Sequence, residues 1–151
     1  MNKADLAERH RISDGKKFHL NDVDPADTAG LDIEKDDAKD LLADSVKDLQ
    51  KLQERLYAER KWAVLLVLQA MDAGGKDSTI RKVFSGVNPA GFRVHSFGPP
   101  SELVRRHDFL WRCSERTPER GRIGIFNRSH FEEVLVVRVN PQFLGGQHLP
   151  N

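Results

Sequence analysis

Trp62-Ala-Val-Leu-Leu-Val-Leu68 runs straight into Gln69-Ala-Met-Asp-Ala-Gly-Gly-Lys-Asp-Ser-Thr79. The first stretch is a continuous apolar run rich in Val and Leu, the pattern of a parallel strand buried on both faces. The second is turn chemistry, with two consecutive glycines before a lysine. Beyond it Ile80, Val83, Phe84 and Val87 recur at the spacing of one helix face. Gly86 and Asn88-Pro89 mark where that helix stops. Strand, glycine turn and helix in this order predict an α/β fold with a parallel sheet.

Working outward toward the C-terminus, Phe92 to Phe97 reads as a second strand. Pro99, Pro100 and Ser101 break it and open a helix expected to run through Arg112. A charged loop, Glu115 to Arg122, leads to a third apolar strand, Ile123 to Phe126. On the other side, Leu42, Val46, Leu49, Leu52 and Leu56 repeat at helical spacing within a segment from Asp32 to about Arg60. Asp32, Glu34, Asp36 and Asp37 suit the start of that helix electrostatically. It is expected to lie against the domain's own core, with a partner helix or dimer seam as the alternative. Residues 1–30 are polar and carry Asp22, Asp24, Pro25, Asp27 and Gly30 as turn markers. The expected organisation is therefore an extended N-terminal arm over 1–30 and a single core over 31–151.

The 151 residues suffice for one domain with a hydrophobic core, and 38% apolar with 31% charged residues fits a soluble globular protein. The longest apolar run is strand-sized, so no membrane span is expected. The polar N-terminus gives no signal peptide, and a lone Cys113 excludes an internal disulfide, so a cytoplasmic protein with a bystander thiol is expected. Charge is asymmetric. Residues 1–60 hold 11 Lys and Arg against 15 Asp and Glu, whereas residues 61–151 hold 13 against 8, and ten of those 13 are Arg. Guanidinium forks suit phosphate oxygens. Nucleic acid is the weaker partner, because no aromatic residues interleave with the arginines as a single-strand platform needs.

Gly74-Gly75-Lys76 between a buried strand and a helix points outward-facing N–H groups and the positive end of a helix dipole at one spot, where a phosphate can sit. Lys76 adds a mobile positive charge. The match to G-x-x-x-x-G-K-[ST] is imperfect, since Ala70 replaces the first Gly and Asp77 follows the Lys, with Ser78 and Thr79 displaced. Asp72 faces the same phosphates and would repel them without a cation, which makes Mg²⁺ the natural partner, held directly or through water. A capping or turn-forming aspartate is the plainer alternative.

Ile123-Gly-Ile-Phe-Asn-Arg-Ser129 delivers polar residues to the carboxyl edge of the sheet, beside the phosphate turn. An acid often sits there to position magnesium; Asn127 would make only a weaker or water-mediated contact. Arg128 can span two phosphate oxygens or pair with Glu132 or Glu133. The six histidines, His107 and His130 among them, have no zinc-type spacing and receive no role.

These residues resemble the second family of polyphosphate kinases, in stretches that run nearly end to end. They are Asp24-Pro25-Ala26-Asp27-Thr28, Leu52-Gln53-Glu54-Arg55-Leu56-Tyr57, Gln69 to Asp77, Ser85-Gly-Val-Asn-Pro89, His107-Asp-Phe-Leu-Trp-Arg112, Arg120 to Ser129 and Glu133-Val-Leu-Val-Val-Arg138. The resemblance implies a P-loop kinase-like three-layer fold, preceded by a long helix. It implies Mg²⁺-dependent phosphoryl transfer between inorganic polyphosphate and a nucleoside mono- or diphosphate. By that likeness Asp72, Lys76 and Arg128 are catalytic. Gly74, Gly75, Asp77, Ser78 and Asn127 join Lys76 and Arg128 in binding phosphate or nucleotide, and the Asn resembles members acting on AMP or ADP. The family usually has Gly where Ser78 stands, so the small hydroxyl there is either harmless or crowds the helix start. Val134 to Val139 has a strand's composition, but the family continues a helix from Ser129 through it, and a helix is expected.

Family members continue beyond Pro150 with a helical lid and further strands, so the chain is expected to be truncated before the lid. Truncation would leave apolar surface and unpaired backbone open and a homo-oligomer conceivable. Two other functions stay open: a catalytically impaired polyphosphate- or nucleotide-binding fragment, and a generic nucleoside monophosphate kinase.

Overall fold

The computed structural model describes residues 3–28, 30 and 33–146. Asp32, Pro150 and Asn151, named above, lie outside them. The chain divides into two compact units, Met1–Leu41 and Leu42–Asn151.

In the first unit, the segment read as an extended arm carries a short helix, α1 (Lys3–Arg9), and a single 3-10 turn at Leu20–Asp22. Arg9 reaches both carboxylate oxygens of Asp27, at 3.1 and 2.9 Å. Asp24 accepts from the Ala26 amide at 2.9 Å, the side-chain turn expected of Asp before Pro.

The second unit is built on a three-stranded, fully parallel sheet. Its strands are β1 (Val64–Leu68), β2 (Phe92–Ser96) and β3 (Ile123–Asn127), in the order β1-β3-β2. Ile123 is level with Val64 and Phe92, and Asn127 with Leu68 and Ser96, so the three strands end flush. Helix α2 (Lys35–Glu59) and helix α3 (Lys76–Phe84) supply Leu49, Leu56, Ile80, Val83 and Phe84 to one face, around Ile123 and Ile125. The other face holds Phe97, Phe126 and Cys113, the last from helix α5 (Trp111–Ser114). Helices on both faces make three layers, and the long helix packs on its own core as expected.

Four details differ from the pattern in the sequence or decide between its readings. β1 is not buried on both faces: Val64 is 47% and Leu65 42% exposed, because β3 is its one partner strand among the described residues. On α2 the buried stripe passes through Gln53 rather than Leu52, which is exposed. Gln53 is nearly fully enclosed because its amide donates to the Asn88 carbonyl at 2.9 Å, and Gly91 leaves room for it. The helix expected from Ser101 to Arg112 is two, α4 (Glu102–Arg105) and α5. Asp108 interrupts it by accepting the Leu110 amide at 2.9 Å, starting a new turn. After β3 the chain is helical, a π-type segment Glu132–Val136 leading into α6 (Val137–Val139), so the valine-rich stretch is no strand. No helix among the described residues is long and apolar enough to cross a membrane.

Candidate phosphate-binding site

β1 ends at Leu68 and α3 begins at Lys76, so the turn between them sits at the carboxyl edge of the sheet. Gly75 caps α3 with φ 76°, a left-handed conformation suited to a residue without Cβ. At Gly74 a Cβ would lie 2.7 Å from the Ala70 methyl and 3.0 Å from the Met71 carbonyl oxygen. The Ala in place of the motif's first Gly thus makes the glycine at 74 obligatory. The first helical bond at this end runs from the Thr79 amide to Gly75 O, at 2.9 Å. The amides of Lys76, Asp77 and Ser78 precede it, and Gly75 has no side chain to cap them, which is the arrangement that receives an anion. The Ser78 hydroxyl donates to Gly75 O at 2.8 Å and stands 3.5 Å from where a Gly75 Cβ would be, an ordinary contact that does not crowd the turn.

Lys76 is only 8% exposed. Its ammonium donates to the carbonyls of Ala70, at 2.7 Å, and Met71, at 2.8 Å, so it folds back over the turn that precedes it. Carbonyl partners solvate the charge without cancelling it, and a phosphate can draw it outward.

The end of β3 meets this turn from the neighbouring strand. Arg128 has φ 66°, a left-handed conformation uncommon for a side-chain-bearing residue, and its amide donates to Leu68 O at 3.0 Å. Its guanidinium donates to the Asp72 carboxylate, and Glu132 lies 3.8 Å from its other nitrogen. The pairing with Glu132 weighed from sequence is therefore present, beside one with Asp72. The Asn127 amide donates to Asp77 at 2.6 Å, while its own carbonyl oxygen is buried without a partner among the described residues. The carboxylate missing at 127 is supplied from the helix by Asp77, where many phosphate turns have a hydroxyl.

Beneath these groups lies a layer whose pairings, apart from Arg128 with Glu132, the sequence did not single out. Ser129 is fully buried, donates to Gln69 Oε1 at 3.3 Å and accepts from the Phe131 amide at 3.2 Å. Gln69 donates to Glu132 at 2.6 Å. Arg112 donates to Gly98 O at 2.7 Å and to Glu133 at 3.0 Å, with its guanidinium 5.6 Å from the centre of the Phe97 ring. Glu132 links this layer to Arg128, and Arg105, Arg112, Arg128 and Glu132 line a cleft of about 410 Å³. The advance signals were the abundance of Arg in this half of the chain and the pairing of Arg128 with Glu132 or Glu133. Burial raises the Cys113 thiol above its ordinary range, which keeps it protonated and fits a bystander. His107 stacks on Trp111 at 3.9 Å between ring centres, a packing role.

No group of three or more His, Cys, Asp or Glu that could hold a metal occurs among the described residues. What the turn offers is Asp72, 86% exposed at its side chain, and Asp77 nearby. That donor set fits a magnesium ion held by one or two carboxylates with phosphate oxygens and water completing the shell.

Sheet, turn and convergent residues define an α/β protein with a glycine-rich strand–turn–helix at the carboxyl edge of a parallel sheet. The chain belongs to the polyphosphate kinase 2 family, whose model matches residues 32–147. It is 52% identical over 132 residues to an AMP/ADP-polyphosphate phosphotransferase of Meiothermus ruber, covering 87% of this chain and 49% of that protein. It is 47% identical over 144 residues to an ADP-polyphosphate phosphotransferase of Rhodopseudomonas palustris, covering 95% and 50%. The crystal structure of polyphosphate kinase 2 from Arthrobacter aurescens TC1 superposes with a TM-score of 0.82 at 40% identity, over 90% of this chain and 49% of that one. The chain thus spans about half the length of these relatives.

Proposed function

We propose that the chain carries the phosphate-handling half of an enzyme that moves a phosphoryl group between inorganic polyphosphate and a nucleoside mono- or diphosphate. The observation that carries it is the meeting of two motifs far apart in sequence, through the Arg128–Asp72 and Asn127–Asp77 contacts at one sheet edge. Relatives named as AMP/ADP- and ADP-polyphosphate phosphotransferases support the substrate class.

In the synthetic direction a terminal oxygen of the nucleotide attacks the terminal phosphorus of the polyphosphate. The bond from that phosphorus to the bridging oxygen breaks, and the shortened chain leaves with the electron pair. Transfer is direct and in line, with no covalent enzyme intermediate. The amides at the start of α3 and the Lys76 ammonium bind the outer phosphate oxygens. Arg128, released from Asp72, stabilises charge on the transferring group. Asp72 then faces the acceptor phosphate and, with Asp77 and Asn127, the metal. Asp72 and Asp77 would hold magnesium, directly or through water, and the ion would supply charge neutralisation to the phosphate oxygens.

The test is transfer by the purified chain from polyphosphate to AMP or ADP with Mg²⁺. ADP or ATP should form, and Lys76→Ala and Asp72→Ala should each abolish it. Variants as fast as the parent would overturn the assignments. Activity with ATP as donor and none with polyphosphate would select a nucleoside monophosphate kinase instead.

A further inference from the structure

Residues 68 and 69 hold the Arg128 segment at two points. The Leu68 carbonyl accepts the Arg128 amide at 3.0 Å, and the Gln69 side-chain amide donates to Glu132 Oε1 at 2.6 Å. That amide has one orientation open to it. Its Oε1 accepts from the Ser129 hydroxyl at 3.3 Å, and the hydroxyl, fully buried, in turn accepts from the Phe131 amide at 3.2 Å. Reversed, the amide would turn an oxygen toward the carboxylate, acceptor against acceptor. Gln69 is thus fixed by a buried group at one end and fixes a carboxylate at the other.

Arg128 faces two acids, and they are held differently. Asp72 stands on the glycine turn with its side chain 86% exposed, and the guanidinium donates to it. The Glu132 side chain is 21% exposed, and its Oε2 lies 3.8 Å from Arg128 Nη1, near enough to act through charge and too far for a hydrogen bond. An arginine and a carboxylate left to themselves pair through two parallel hydrogen bonds. Here one of the two oxygens that such a fork needs is already taken by Gln69. Glu132 therefore orients Arg128 without capturing its N–H donors.

We propose that Gln69 is a positioning residue for phosphoryl transfer: by holding one oxygen of Glu132, it keeps the Arg128 guanidinium aimed across the sheet edge with its donors open to the transferring group. The inference rests on the function proposed above and adds to it a residue that acts through two others. When Asp72 turns toward the metal, Glu132 is the acid that stays beside Arg128. A side chain at 69 that cannot donate frees Glu132 to close on the guanidinium as a fork, and an incoming phosphoryl group then has to displace it. A glutamate at 69 acts in the same direction, because an acceptor-only group there repels Glu132 toward the arginine.

The test compares the parent with Gln69→Met, which keeps the length of the side chain, and with Gln69→Glu and Ser129→Ala. NMR of the arginine side chains reads the tether directly, with Arg128→Lys identifying the Arg128 signal. In Gln69→Met the Arg128 guanidinium hydrogens should exchange with solvent more slowly, by a factor of about three or more, as Glu132 closes on them. Ser129→Ala keeps Gln69 but frees its amide, and should move the exchange the same way by less. Transfer from polyphosphate to AMP or ADP should slow roughly tenfold in kcat in Gln69→Met, with KM little changed. In an Arg128→Lys background the same substitution should cost less than about twofold, since no fork is left to capture. A merely structural glutamine gives equal losses in both backgrounds, and that result overturns the inference. Unchanged Arg128 exchange in both Gln69→Met and Gln69→Glu overturns it too. A parent that transfers no phosphate defeats the proposed function and the role in transfer with it, while the exchange measurement still upholds or overturns the tether.

Discussion

At the amino end of β3, Gly121 precedes Arg122 with φ 85°; at the carboxyl end, Arg128 itself holds φ 66°. At the amino end the backbone and the arginine bond back to the chain. Gly121 N donates to Trp62 O at 2.7 Å, Val64 N to Arg122 O at 3.1 Å, and the Arg122 guanidinium to Ala90 O while lying 5.7 Å from the centre of the Tyr57 ring. At the carboxyl end the guanidinium is 36% exposed and its partner Asp72 86% exposed. The two ends use the same backbone device for different purposes. A buried left-handed glycine closes a turn. A left-handed arginine, destabilising by about 1 kcal/mol or more, is held in place by the Leu68 carbonyl, with its guanidinium paired to Asp72 and Glu132 at the open edge of the sheet.

Breaking the carboxyl end should give the largest effect. Arg128→Gly removes the charge and relaxes the backbone, so transfer should fall on the order of 10²–10³-fold. Its thermal midpoint should hold or rise; a large loss of stability with activity retained would reverse the contrast. At the amino end Gly121→Ala forces a Cβ to 3.3 Å from the Tyr57 carbonyl oxygen at φ 85°. It should cost about 1–3 kcal/mol, read as a drop in melting temperature with KM unchanged.

The phosphate turn was legible because its signal is local: apolar run, two glycines, lysine, helix period. So were the three strands and the face of α3. The bracing layer was not, because Gln69 and Glu132 lie 63 residues apart and their pairing depends on the flush ends of β1 and β3. Nor could an apolar run report how many neighbours it has. Ile125 and Leu66 are partners in register and equally apolar, yet Ile125 is wholly buried and Leu66 is 36% exposed. Composition favoured a strand over Val134–Val139, and the family likeness supplied the helix. On α2 the five-leucine-and-valine stripe missed Gln53, since a glutamine is buried only where a carbonyl such as that of Asn88 awaits it.

Smaller effects sharpen the same contrast. His95 has its folded pKa depressed, so its contribution to stability is present above the ordinary histidine value and lost as pH falls through the lower folded one. His95→Gln should flatten that acid-side slope in a denaturation series below about pH 6.5. Leu65→Thr on exposed β1 should change stability by no more than about 0.5 kcal/mol. A loss of several kcal/mol there would mean that β1 is covered in solution.

The most direct test is titration of magnesium tripolyphosphate into the purified chain, parent beside Lys76→Ala. Saturable binding by the parent, weakened at least tenfold in the variant, is the expected result. Equal binding by both, from folded samples, would contradict a phosphate site built on the Gly74–Ser78 turn.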